Sequence, residues 1–182
     1  TRTPVAESIE YNGTYRPKYS GSLSTDFKYK NLLLSFAFVY NFGHVFRIAY
    51  PTMNPLEGAA DLSAFVAKRW QKPGDENKTD IPATLTWESY DGIRQHLASY
   101  SSNSVRKGDF IRLREITLNY ELPSQLIKKT PFSRVSLTAQ ANTVWMWTKN
   151  KEGFDPEAVD PIHGTLGLSE APSFTFGLRV EF

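Results

Sequence analysis

The residue types that most often do chemistry are thinly spread in this chain. Its three histidines, His44, His96 and His163, lie far outside the spacing that puts two imidazoles on one helix face for a metal. With no cysteine there is no thiolate ligand, thiol nucleophile or disulfide. Asp155, Glu157 and Asp160, with Asp61 or Asp80 elsewhere, could offer carboxylate oxygens to calcium, but the alternating Asp loop closed by a glycine is missing from the sequence. Serines are plentiful, yet none sits in a Gly-x-Ser-x-Gly elbow. The reading is a non-enzyme with no catalytic residue, cofactor or metal.

Aromatic residues are the richer signal. Trp70, Trp87, Tyr90 and Tyr100 fall among Arg69, Gln71, Asp91, Arg94 and Gln95. Ring faces that stack, edged by groups that give hydrogen bonds direction, suit sugars or peptides. The plainer alternative is that these rings pack a long loop onto itself. Lys149 and Lys151 beside Trp145 and Trp147 resemble a stacking platform for nucleic acid. A net charge of +2, with Glu152, Asp155 and Glu157 adjacent, makes them a solvated or headgroup-facing rim instead.

What must hold these residues is a set of strands. The chain has 182 residues, 40% of them hydrophobic and 14% aromatic, so it buries or embeds apolar surface rather than staying disordered. Its mean hydropathy is −0.41, and its longest near-apolar run, Leu32 to Tyr40, is far short of the ~20 residues a spanning helix needs. That leaves open a membrane β-barrel, in which only alternate residues meet lipid. Thr1 to Glu10 is polar, lacks the apolar core of a signal peptide, and reads as the start of a piece cut from a longer protein.

Period-two alternation dominates. Phe174, Phe176, Leu178, Val180 and Phe182 alternate with Ser173, Thr175, Gly177, Arg179 and Glu181. Over Arg134 to Thr148, one face carries Val135, Leu137, Ala139, Ala141, Thr143, Trp145 and Trp147. Ile116, Leu118, Tyr120 and Leu122 form a third face, and Ile111 and Leu113 just upstream run in the opposite phase, which a β-bulge near Arg114 and Glu115 would reconcile. Leu23, Thr25, Phe27 and Tyr29 within Ser22 to Lys30 lead through a tight Lys30-Asn31 turn into Leu32, Leu34, Phe36, Phe38, Tyr40 and Phe42. Connections then alternate: tight, long (Arg47 to Gly108), short (Pro123 to Phe132, with a helical turn in Ser124 to Lys129), and long (Lys149 to Pro172). Short turns at one end and long loops at the other are the pattern of an up-and-down barrel.

The apolar faces carry no charge, while Asp26, Lys28, Glu121, Arg134, Arg179 and Glu181 lie opposite. A soluble sandwich would share that feature. Two others favour lipid. Aromatics gather at strand ends, with Tyr29, Tyr120 and Phe182 toward the turns and Tyr40, Phe42, Trp145, Trp147 and Phe174 toward the loops, as in interfacial girdles. The strands also have roughly the length that a tilted strand needs to cross a bilayer, about 9–11 residues.

Asp109 to Pro123, Asp-Phe-Ile-Arg-Leu-Arg-Glu-Ile-Thr-Leu-Asn-Tyr-Glu-Leu-Pro, resembles the late-barrel segment of SusC/RagA-type TonB-dependent transporters, outer-membrane nutrient importers of Bacteroidetes. Phe110, Arg112, Leu113, Thr117, Leu118, Tyr120 and Pro123 match that family's pattern, whereas Arg114 stands for its Lys and Asn119 for its Gly. Arg69-Trp70 followed by Asn77 to Pro82, Ala139 to Asn142 followed by Trp147-Thr148, Gly153 to Glu157, and the closing Phe174 to Phe182 resemble further family segments in the same order.

The resemblance implies an all-β fold: the C-terminal five strands, spanning residues 1–182, of an antiparallel transmembrane barrel of about 22 strands, with the plug and first barrel strands lying outside this chain. It implies import of oligosaccharides or peptides across the outer membrane. A SusD-like lipoprotein would cover the extracellular mouth, TonB would pull through an N-terminal region outside this chain, and the rest of the barrel and outer-membrane lipid would be its other neighbours. Asn41, Asn119, Gln140 and Asn142, midway or higher on their strands, are the lumen candidates for substrate contact, with Trp70, Trp87 and Tyr90 as loop candidates. The alternative is a soluble carbohydrate-binding β-sandwich module.

Overall fold

The computed structural model describes residues 9–49, 67–83 and 97–182. Its strands are β1 (Tyr19–Tyr29), β2 (Leu32–Phe42), β3 (Val45–Arg47), β4 (Val105–Lys107), β5 (Phe110–Glu121), β6 (Arg134–Thr148) and β7 (Ser173–Glu181), with one short helix, α1 (Ser124–Ile127), between β5 and β6. The described residues fall into two units. One holds residues 16–44, 108–158 and 168–182, and the other holds the described parts of 1–15, 45–107 and 159–167.

The first unit is a single antiparallel sheet in the order β1-β2-β5-β6-β7, so β1 and β7 are its outer strands. Tyr29 pairs with Leu32 across the two-residue turn, where Lys30 takes a left-handed φ of 50°. The Asn31 side chain then donates to the Glu121 carbonyl at 2.9 Å, tying this turn to the end of β5. β1 begins at Tyr19, before the expected Ser22, because Gly21 hides the period: it pairs with Tyr40, and a Cβ there would lie 2.5 Å from the tyrosine oxygen. An absent side chain cannot show which face it belongs to.

The expected bulge is present. Phe38 pairs with Leu113 and Ala37 with Glu115, leaving Arg114 as the extra residue against β2. On the other side Leu113 pairs with Trp145 and Glu115 with Asn142, so Thr143 and Val144 together oppose Arg114. Thr143, read from sequence as one more residue of the apolar face, instead sits in this irregularity at φ 54°. A β-branched residue rarely takes that conformation. The offset preserves the phase of Trp145 and Trp147, which stay on the apolar side with Leu113 and Ile111.

Cross-strand register thus gathers Phe36, Phe38, Ile116, Leu118, Ala139, Phe176 and Leu178 on one face. That face is open to the surroundings: Phe176 is 82% and Leu178 67% exposed. A β-sandwich would bury these side chains under a second sheet, so the soluble alternative is set aside. Among the described residues, no helix is long and apolar enough to cross a membrane.

In the second unit β3 pairs with β4. Phe46 and Ile48 are its buried apolar centre, and Ile48 N–H donates to the Ser104 carbonyl at 2.9 Å. Sequence reading treats this whole stretch as loop, because three-residue strands are too short to display a period.

Candidate functional site

The opposite, polar face of the five-stranded sheet is the surface with chemical character. Its middle is a ladder of uncharged hydrogen-bonding groups. Ser35 pairs with Thr117, which pairs with Gln140, which pairs with Thr175. Gln140 Nε2 donates to Asn142 Oδ1 at 3.0 Å, and Asn142 Nδ2 donates to Ser173 Oγ at 3.1 Å. The fold therefore brings Gln140 and Asn142 into direct contact. Asn41 shares their face near the loop end, paired with Ser20 and Phe110. Asn119 shares the face but corrects the sequence reading of its height. It pairs with Leu33 and Thr138 near the turn end, and its Oδ1 accepts from Thr138 Oγ1 at 2.6 Å. β5 runs from loop to turn, so a late position on it is low.

The turn end of this face is charged. Arg134 Nε lies 3.1 Å from Glu121, and Arg179 lies 3.0 Å from Glu181, which also faces Arg134 at 3.8 Å. With Lys28 they line an open cavity of about 480 Å³. These ion pairs are largely exposed and add little to stability.

The loop end is built differently. Arg112, on the polar face between Val39 and Met146, is only 2% exposed. It donates to the buried Asp155 carboxylate, and its Nε forms an ion pair with Glu157 at 2.8 Å. Arg114 reaches the same Glu157 and, at 3.1 Å, Glu170. Two of the acids offered by sequence as calcium ligands, Asp155 and Glu157, are thus occupied by arginines. That network was invisible in sequence, since residues some forty positions apart share no spacing signal.

Beside it, the buried carboxylate of Asp109 accepts from the Gly43 amide at 2.7 Å and from Lys149 Nζ at 3.1 Å. Burial works to raise the Asp109 carboxyl, but those two donors outweigh it and leave the group below the ordinary range. Burial lowers the neighbouring His44 imidazole against the pull of Asp109. A Cβ at Gly108 would lie 2.4 Å from His44 Nε2, so any larger residue there would force the imidazole to shift.

Of the loop candidates, Trp70 belongs to the second unit. Its indole N–H donates to Glu76 at 3.1 Å, and its amide donates to the Ile81 carbonyl at 2.9 Å, so the ring is tied into a local turn. Tyr100 stacks under Arg47, with the guanidinium carbon 5.4 Å from the ring centre. Trp87, Tyr90, Asp91, Arg94, Gln95, His96 and Asp61 lie outside the described residues. His163 contacts Asp160 at 2.8 Å within an exposed turn.

No protein-family model matches the chain. A TonB-dependent receptor, P39, of Formosa agariphila is 31% identical over 185 residues, covering 90% of this chain and 16% of the relative. A second TonB-dependent receptor of that organism, P3, is 26% identical over 181 residues, covering 93% of this chain and 17% of the relative. The chain thus spans about a sixth of the relatives it matches. Structures of the RagAB peptide importer in its open-open state and of the RagAB peptide transporter superimpose over 100% of this chain and 19% of theirs, with TM-scores of 0.65 and 0.64 at 20% identity.

Over nine-tenths of its length the chain is similar to TonB-dependent receptors, and its fold is that of a RagAB barrel segment. In a SusC/RagA-type barrel the apolar face described above meets lipid and the polar face is the inner wall. Asn41, Asn119, Gln140 and Asn142 share the polar face of the sheet, with ionic groups toward both of its ends.

Proposed function

We propose that the complete protein imports oligosaccharides or peptides across the outer membrane, and that residues 1–182 supply part of its barrel domain. The plug and remaining strands lie elsewhere in the polypeptide. One observation carries the reading: a sheet of barrel-length strands with an uncovered apolar face backed by a continuous polar one. A membrane supplies the cover for the first and a solute path the use for the second. Gln140, Asn142, Asn41 and Asn119 present amide groups that hydrogen-bond sugars and peptides equally well without holding either by charge. Trp70, Trp87 and Tyr90 of the long connection would offer ring faces on which a sugar or peptide can stack. A SusD-like lipoprotein closes the extracellular mouth, and TonB, engaging a region outside this chain, supplies the pull. The role is passage rather than catalysis.

The test is made on the full-length protein in its own bacterium. It should extract from outer membranes only with detergent, migrate as a heat-modifiable barrel and bring a surface lipoprotein with it. A deletion strain should lose uptake of a set of oligosaccharides or of peptides. Recovery of the protein from the soluble periplasm would overturn the reading.

A further inference from the structure

We propose that Arg112 clamps segment 149–158 against the inner wall and so narrows the bore of the barrel at its loop end. The inference rests on reading the sheet as barrel wall. Segment 149–158 leaves β6 and turns back over the polar face of β5, where Asp155 and Glu157 meet Arg112. Phe110, 1% exposed, lies on that same face, with its ring centre 5.8 Å from the Arg112 guanidinium carbon. A loop in this position takes up space inside the wall rather than outside it.

The segment is rigid in its own right. The Asn150 side chain donates to the Phe154 carbonyl at 2.8 Å and accepts from the Phe154 amide at 2.7 Å, closing the turn that Gly153 makes at φ 75°. Its root is fixed where the Lys149 amide donates to the Asp109 carbonyl at 2.9 Å. The Glu157 amide donates to Asp155 Oδ1 at 3.0 Å, which aims the carboxylate. One buried guanidinium therefore positions a preformed loop. Arg112 also holds Glu157, so once Glu157 is neutralised, taking away either of the Arg112 and Asp155 charges leaves the other buried and uncompensated, and the loop should leave the wall rather than relax in place. Arg112 and Asp155 are positioning residues, and their effect is on bore rather than on substrate contact.

The experiment places spin labels at Lys151→Cys on the exposed loop and Ser35→Cys on the polar face of β2, in the full-length importer in detergent, and measures their separation by pulsed EPR. The parent should show one narrow distribution. In a Glu157→Gln background, which removes the second acid on Arg112, Arg112→Asp and the near-isosteric Asp155→Asn should each shift it to longer, broader distances, and the reversed pair Arg112→Asp with Asp155→Arg should restore it. Unchanged distances in both single variants would overturn the clamp. So would a shift that the reversed pair does not recover. If Arg112→Asp does not assemble, Asp155→Asn carries the test alone. Heat-modifiable migration, read on every sample, keeps the two ideas apart: a labelled parent that never forms a heat-modifiable barrel sinks the transporter reading, whereas an intact barrel with an unmoved loop sinks only the clamp.

Discussion

Phe38 and Ala37 are neighbours on β2 with opposite surroundings, since Phe38 pairs with Leu23 and Leu113 and Ala37 with Ser24 and Glu115. A charge at Phe38 would enter hydrocarbon, so Phe38→Arg should cost about 2–4 kcal/mol near the midplane, with Ala37→Arg much milder. Folding the full-length protein into lipid vesicles under denaturant titration measures both, and a larger loss for Ala37→Arg would invert the face assignment. A second residue-scale outcome concerns pH. The His163 side chain, helped by the His163 and Ile162 amides, draws Asp160 from 3.8 down to about 2. A depressed carboxyl stabilises its turn fully above the unfolded value of 3.8 and loses that contribution as pH falls through about 2. NMR titration of the Asp160 carboxyl should give that low midpoint, and His163→Ala should move it back toward 3.8. An unmoved midpoint would remove the side-chain bond as the principal cause.

At the scale of elements, the bulge joining β5 to its two neighbours matters most, because it keeps Ile111 and Leu113 in phase with Ile116 and Leu118. The out-of-phase apolar pairs made it legible in sequence: a one-residue slip would put half of β5 on the wrong face. Its strained partner was not legible, because nothing in the run from Ala141 to Trp145 marks Thr143 as left-handed. A left-handed conformation costs a side-chain-bearing residue roughly 1–2 kcal/mol, and Asn tolerates it far better than Thr. Thr143→Asn should therefore keep the bulge and raise stability by about 0.5–1 kcal/mol. Equilibrium unfolding of the full-length protein in detergent checks it, and a loss of stability would mean that the threonine side chain holds the bulge by contacts worth more than the strain.

At the scale of the whole molecule, the sheet's outer strands decide behaviour. β1 and β7 each have one strand neighbour here, β2 and β6. In a bilayer every unpaired edge amide or carbonyl costs several kcal/mol, so both edges require further strands. The 182-residue chain produced alone should accordingly fail to yield a heat-modifiable monomer in detergent and should associate through its edges. A stable monomeric barrel from this chain by itself would contradict the open-sheet assignment. The sequence by itself determined the long strands, their faces, the tight turn and the bulge, because each is a matter of period two and of residues within one or two positions of each other. Tertiary structure alone decided that the Gly153 to Glu157 turn folds back onto Arg112, that Asn119 stands low on the wall, and that Val45–Arg47 pairs with Val105–Lys107. Those facts join residues tens of positions apart, and no local periodicity records which distant partner a buried charge or a three-residue strand will find.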